Sequence, residues 1–320
     1  MKRLSSIVLL AALVLGMVLS ACTPQAAPAA PAKIRIAALP IIDALPLYVA
    51  QKEGLFAKHK VAVEFIPAAS AAERDQLISA AQADGMINDL VSVALYNRDQ
   101  VQVQVVRFAR VASADSAMYR VLAAKDSGLQ TPADLAGVPI GMSQGTVIDY
   151  VTSRLLEKEG LSPEQITSVA VPKLNERMAL LDAGEIKAAT LPEPFGSMAL
   201  QKGAVLIVDD SKYPEYGNSV ISFRKAFIDE SPQAVEGFLA AVEEAVAAIN
   251  QDPEKYRPLL GEYKLVPDPV VASYPMPTFP AASLPAAAQF EDAVAWAKSR
   301  GLITNDVKYE DSVTSQFLPD

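Results

Sequence analysis

Along most of the chain, apolar and polar residues alternate with two periods. Short runs rich in Val, Ile and Ala recur at 34–39, 61–66, 86–87 and 101–111, and each reads as a strand. Between them apolar positions return every third or fourth residue, predicting helices over 46–58, 70–83 and 89–97. Pro46 suits a first helical turn, where its missing N–H costs nothing. Ser70-Ala71-Ala72-Glu73 has the spacing of a capping box, in which serine and glutamate each satisfy an unpaired backbone N–H.

The alternation resumes with strands at 118–124, 138–142, 166–171, 187–191 and 205–208. Helices are predicted over 146–159, where Thr146 and Asp149 repeat the box spacing, over 174–183, ended by Gly184, and over 194–202. After a strand at 220–223 the pattern turns helical, at 231–250, 252–260 and 285–299. Residues 266–280 hold five prolines and are expected to lie extended on the surface. Strand–helix alternation of this kind predicts α/β layers with mostly parallel sheets. Ligands of such folds sit beyond the carboxyl ends of the strands.

The first residues have another pattern. Lys2 and Arg3 precede an apolar run from Ile7 to Leu19, followed by Leu19-Ser20-Ala21-Cys22. The run is short for a membrane span and has the length of a signal-peptide core. Small residues before the cysteine resemble a bacterial lipobox, in which the chain is cut before Cys22 and the thiol is lipidated. Residues 1–22 are thus expected to be a lipoprotein signal peptide, and the Pro/Ala-rich residues 23–32 an extended linker.

Composition narrows the function. The chain has 320 residues, 51% hydrophobic, enough for two domains with real cores. Loss of Lys2 and Arg3 would reduce 28 basic side chains to 26 against 37 acidic ones, which argues against nucleic acid as a partner. One Cys and one His exclude disulfide frameworks and Cys/His zinc sites. No phosphate-binding glycine motif is present, and no cofactor or metal is expected.

Candidate chemistry lies at the strand-to-helix junctions. Gly141-Met142-Ser143-Gln144-Gly145 matches G-x-S-x-G, the nucleophile elbow of serine hydrolases. That reading requires a base, and His59, the single histidine, lies upstream in Lys58-His59-Lys60, where a solvated loop residue is expected. The alternative is that Ser143, Gln144, Gly145 and Thr146 stand at a helix N-terminus, whose free N–H groups either bind an anion or carbonyl or merely cap the helix. Asp43, Asn88 and Asp89 follow strands, as turn and cap residues or as ligand contacts. Arg110 closes a strand, positioned to meet a ligand or to pair with Asp89. Glu193, bracketed by Pro192 and Pro194, has a restrained backbone suited to holding a ligand. Tyr48, Phe108, Tyr119, Phe195 and Tyr274 are aromatics near these junctions, better suited to cores than to ligand stacking.

These residues carry a resemblance. The lipobox, a strand, and Leu45-Pro46-Leu47-Tyr48-Val49-Ala50-x-x-Glu53-Gly54-Leu55-Phe56 resemble the opening of periplasmic solute-binding proteins of ABC importers. The cluster is the one that binds nitrate, sulfonates, taurine and thiamine pyrimidine precursors. Asp134-Leu135-Ala136-Gly137-x-x-Ile140-Gly141 and Glu193-Pro194 with Gln201-Lys202-Gly203-Ala204 resemble later segments of the same family. The resemblance implies an α/β, two-lobed periplasmic-binding-protein fold (type II), with two mixed sheets flanked by helices and joined by two hinge crossings, near 113–118 and 217–222. Lobe one would comprise 33–115 and 220–320, and lobe two 116–219. It further implies a lipid-anchored extracytoplasmic monomer, not an enzyme, that delivers a small molecule to ABC permease subunits. The ligand contacts would be Asp43, Tyr48, Asn88, Asp89, Arg110, Ser143, Gln144, Gly145, Thr146 and Glu193. Their carboxylates favour a heterocyclic vitamin precursor, such as a pyrimidine or flavin-type compound. A sulfonate or nitrate binder, a ligand-sensing lipoprotein and an exported hydrolase using Ser143 are the alternatives. Fungal thiamine-pyrimidine synthases of this fold use a sacrificial histidine and a Cys-rich iron site, which this chain lacks.

Overall fold

A computed structural model describes residues 31–319; the expected signal peptide, Cys22 and nearly all of the expected linker lie outside the described residues. β1 (Ala32–Ala38) pairs in parallel with β2 (Val61–Pro67) and with β3 (Gly85–Asn88), placing Ile36 between Phe65 and Gly85. β10 (Asn218–Arg224) runs antiparallel between β3 and β4 (Val103–Val111). The sheet order is β2-β1-β3-β10-β4. In the second sheet β6 (Pro139–Met142) lies parallel between β7 (Thr167–Ala170) and β8 (Ala188–Pro192). There β5 (Tyr119–Ala123) runs antiparallel between β8 and β9 (Val205–Asp209), giving β7-β6-β8-β5-β9.

The two sheets share one plan. Each takes its antiparallel insert from a strand that has just crossed over: β5 arrives from the first sheet and β10 returns from the second. The sheets are therefore mixed rather than mostly parallel. The crossings occupy residues 112–118 and 210–217, the second of them several residues earlier than expected. Asp84 braces the first sheet. It accepts bonds from the Arg35 backbone N–H at 2.9 Å, the Arg35 guanidinium at 2.6 Å and Arg224 at 2.9 Å.

The helices cover these sheets. Pro232–Gln251 lays Val235, Phe238 and Val242 on the core of the first sheet, where Phe238 stacks on Phe56 at 5.4 Å. Full burial of such a side chain stabilises by roughly 1.5–3 kcal/mol. Gly237 permits this approach, because a Cβ there would lie 2.6 Å from the His59 carbonyl oxygen. His59 is half-buried rather than solvated, its Nε2 2.7 Å from Glu244 on the same helix. Ala287–Ser299 packs Trp296 against Tyr150 of the Val147–Lys158 helix, which belongs to the second sheet.

Three predicted elements differ. The helix expected at 46–58 is Leu45–Lys52 and a single turn Leu55–Lys58, divided at Gly54, whose φ of 70° is left-handed. The one expected at 252–260 becomes Pro253–Tyr256 and Pro258–Glu262, since Pro258 interrupts the ladder of N–H donors. Residues 266–280 do not simply lie on the surface: Val266, Val270, Tyr274 and Phe279 are buried. Side chains supply the bonds that the prolines cannot. Asn250 clasps the backbone N–H and carbonyl of Phe279, and Arg257 donates to the carbonyls of Val271 and Tyr274.

Candidate functional site

The junction after β1 is a 3-10 turn, Ile42–Ala44, that buries Asp43. Its Oδ2 accepts the Ser219 hydroxyl at 2.7 Å, and its Oδ1 lies 3.5 Å from Nη1 of Arg110. Arg110, near the end of β4, is 2% exposed. Its Nη2 donates to Ser116 Oγ at 3.0 Å and to the Ala117 carbonyl at 3.1 Å, while its Nε has no partner among the described residues. Burial opposes the charge of Arg110, but Asp43, Tyr274, Glu193 and Asp210 outweigh it and hold the guanidinium protonated.

The second sheet supplies the opposing groups. Glu193 follows β8 and is 5% exposed. It accepts a bond from Nε of Arg120 and another from the Ser197 N–H at 3.3 Å. Arg120 also donates to Asp209 at 2.6 Å. Burial works against the charge of Arg120, and these carboxylates overcome it. The Tyr274 phenol is pushed up by burial first, with the charges of Arg110, Glu193, Asp43 and Arg120 acting on it after that. The two ion pairs, one from each sheet, are linked through one short segment: Arg110 donates to the Ala117 carbonyl, and the Glu193 N–H donates to the carbonyl of the next residue, Met118.

The crossings border this group. Asp210, 0% exposed, accepts the N–H groups of Met118 at 2.8 Å and Tyr119 at 3.1 Å. Met118 in turn offers its carbonyl to the Glu193 N–H at 2.8 Å. Burial raises the Asp210 carboxyl to about 7 against the pull of those amides and of Arg110.

Of the predicted site residues, the fold brings Asp43, Arg110 and Glu193 together. Arg110 pairs with Asp43, not with Asp89. Asp89 caps the Leu90–Tyr96 helix through the Ser92 N–H at 2.8 Å, and burial pushes its carboxyl up; Asn88 accepts the Ser222 hydroxyl at 2.7 Å. The buried Tyr119 phenol is pushed up by burial first and then by the charges of Asp89 and Asp43. Tyr48 sits elsewhere, stacked on Tyr263 at 4.2 Å with Phe65 alongside.

The segment 143–146 is largely engaged with itself and its neighbours. Ser143 donates to the Pro172 carbonyl at 3.2 Å and accepts from Arg177 at 2.7 Å, so its hydroxyl meets a guanidinium rather than a base. Gln144 bonds Ser168 at 2.8 Å. The Gly145 N–H goes to Asp149 at 3.0 Å; Thr146 accepts the Ile148 N–H at 3.3 Å and donates to the Ser143 carbonyl at 2.7 Å. A hollow of about 570 Å³, bordered by Lys125, Lys187 and Lys202, lies at the far end of the second sheet and includes none of the predicted site residues. Among the described residues no group of three or more His, Cys, Asp or Glu side chains is arranged to hold a metal, and no helix is long and apolar enough to cross a membrane.

Sequence reasoning missed Arg120, Asp209, Asp210 and Ser219. The available signal was charge inside apolar strands: Arg120 interrupts Tyr-Arg-Val-Leu-Ala, and the Asp pair ends Val-Leu-Ile-Val. Tyr274 was noticed only as a core aromatic.

The model of a family described as NMT1/THI5 like matches residues 42–256. A protein of Escherichia coli (strain K12) named for binding aliphatic sulfonates is 27% identical over 154 residues, 48% of each chain. The nitrate/nitrite binding protein NrtA of a Nostoc species is 23% identical over 253 residues, 69% of this chain and 57% of that one. The chain spans about half the length of these curated relatives. Among solved structures, the periplasmic aliphatic sulphonate binding protein SsuA from Escherichia coli superposes with a TM-score of 0.76 at 18% identity, over 90% of this chain and 99% of that one. At that identity the likeness establishes the fold, the two-lobed architecture of periplasmic binding proteins.

Proposed function

This chain belongs to the NMT1/THI5-like family, and on that footing we propose that it is an extracytoplasmic solute-binding protein that hands a small molecule to an ABC permease. The observation that carries the reading is the pair of ion pairs, Asp43 with Arg110 from the first sheet and Glu193 with Arg120 from the second, that are linked through Ala117 and Met118. A ligand held there touches both lobes, so binding favours the closed arrangement of a hinge, with no covalent step needed. Lobe one is taken as 33–115 and 220–320, and lobe two as 116–219. Cys22 serves as the lipid anchor, Pro/Ala-rich residues as tether, and the protein works as a monomer.

The solute is proposed to be a donor-rich heterocycle of the pyrimidine or flavin-precursor type. Asp43, Glu193 and Asp209 set three carboxylates against two arginines, Arg110 and Arg120, and Arg120 is shared between Glu193 and Asp209. Burying an anion against these carboxylates would be costly. One observation favours a sulfonate or nitrate ligand instead: Nε of Arg110 is buried without a partner.

Calorimetry and thermal shifts of the full chain against an aminopyrimidine, a flavin precursor, taurine and nitrate test the reading. A heterocycle is expected to raise the melting temperature by mass action, and Glu193→Gln to weaken its binding at least tenfold. Stabilisation by taurine or nitrate alone replaces the heterocycle with an anion. Failure to stimulate the ATPase of a reconstituted permease would leave ligand sensing as the role.

A further inference from the structure

We propose that Asp210 is a positioning residue of the binding site: its carboxylate fixes the first crossing segment, and through that segment the placement of Arg110 against Glu193, so that a proton on Asp210 loosens the site. The chain of contacts is short. Asp210 holds the amides of Met118 and Tyr119 with its side chain, and its own N–H donates to the Tyr119 carbonyl at 3.2 Å. The segment so held carries three bonds to the site. Ser116 and Ala117 receive Arg110, and the Met118 carbonyl receives the backbone of Glu193. Asp210 and the segment it holds belong to different crossings, so one buried carboxylate ties together the two strands that must bend when the lobes move.

The position is built for the carboxylate. A Cβ at Gly217 would collide with Oδ2 of Asp210, and the Gly217 carbonyl accepts the Ala112 N–H at 2.7 Å, closing the second crossing onto the first. An ionised carboxylate accepts both amides with full charge; protonation converts one oxygen into a donor facing N–H groups that are donors themselves, and one bond is lost. The charged and titratable groups whose influence reaches Asp210 are Arg110 from β4, Arg120 and the neutral Tyr119 phenol from β5, and the adjacent Asp209 of β9. Arg110 favours the anion, and Asp209 and burial oppose it, leaving the carboxyl near neutrality, within the range an extracytoplasmic protein meets. The chain's single histidine lies against Glu244 on the outer helix, outside this circle.

The inference rests on the site assignment above, but its test uses no solute, so its failure leaves the proposed delivery function standing. The experiment is an NMR titration of the full chain in detergent, from about pH 5 to about pH 8.5, following the amides of Met118, Tyr119 and Glu193 and the Nε–H of Arg110. All four signals are expected to move with one shared midpoint near 7, and Asp210→Asn to abolish the transition in all of them. His59→Gln is expected to leave it intact. Should Asp210→Asn fail to fold, Gly217→Ala, which crowds the carboxylate off its amides, is expected to shift the midpoint. Movement of Met118 and Tyr119 without Glu193 and Arg110 would reduce Asp210 to a structural brace and overturn the proposal. So would a transition that persists in Asp210→Asn, an unchanged midpoint in Gly217→Ala, or no transition at all.

Discussion

Arg110 is charged and almost sealed from solvent, and its nearest carboxylate is 67 residues earlier in the chain. Removing one member of a buried pair strands the charge of the other, which costs about 3–5 kcal/mol. Arg110→Met is therefore expected to lower stability by about that amount in urea unfolding. The double variant with Asp43→Asn should lose less than the sum of the singles, because neither charge is then left alone. Additive losses would mean that the two side chains do not interact. Neither residue announces its partner in sequence: Arg110 closes one strand and Asp43 follows another, and they come within 3.5 Å only in the folded chain, where Ser219 of β10 donates to Asp43 and pairs in register with Arg110.

Helix ends were legible where their chemistry is local. Ser70 accepts the Glu73 N–H at 3.2 Å, as its spacing predicts, although Glu73 reaches back to the Ala69 N–H rather than to that of Ser70. Ser70→Ala should cost about 1 kcal/mol, read as a shift in the urea midpoint with unchanged slope. The N-terminus at Thr146 shows the limit of such reading. Its cap was visible, yet only the folded chain shows that Asp149 takes the Gly145 amide on which a ligand role depended. Packing can also reverse propensity. Gly237→Ala should gain roughly 1 kcal/mol as a better helix former. The added Cβ would press on the His59 carbonyl, and overpacking of this kind costs about 1–3 kcal/mol, so the net change is expected to be destabilising. A rise in melting temperature would show that the 58–61 loop yields.

Across the whole molecule, buried carboxylates pull the pH dependence in opposite directions. Burial raises Asp84, but Arg35 and Arg224 outweigh it and hold the carboxyl below its ordinary value. Its contribution is present above about pH 4, the unfolded value, and is lost as pH falls through the folded one. Asp210 is raised to about 7, so in the window between about 4 and 7 the folded state holds a proton that the unfolded chain releases. That contribution is full below about pH 4 and is lost as pH rises through 7. Urea midpoints are expected to decline on both sides of a maximum at about pH 4, and Asp210→Asn to flatten the decline between about 4 and 7. A profile in that variant identical to the wild type would remove Asp210 from the account.

The sequence alone determined what depends on near neighbours: the alternation of strands and helices, the capping boxes, the turns at glycine and the order of motifs that placed the chain in its family. Residues a few positions apart meet whatever the tertiary arrangement. Only the tertiary structure decided which strands insert antiparallel, that Arg120 answers Glu193 across 73 residues, and that Asp210 of one crossing holds Met118 of the other. Such pairs are chosen by the crossing topology and by the demand that a buried charge find a partner, and no local pattern encodes a partner that distant.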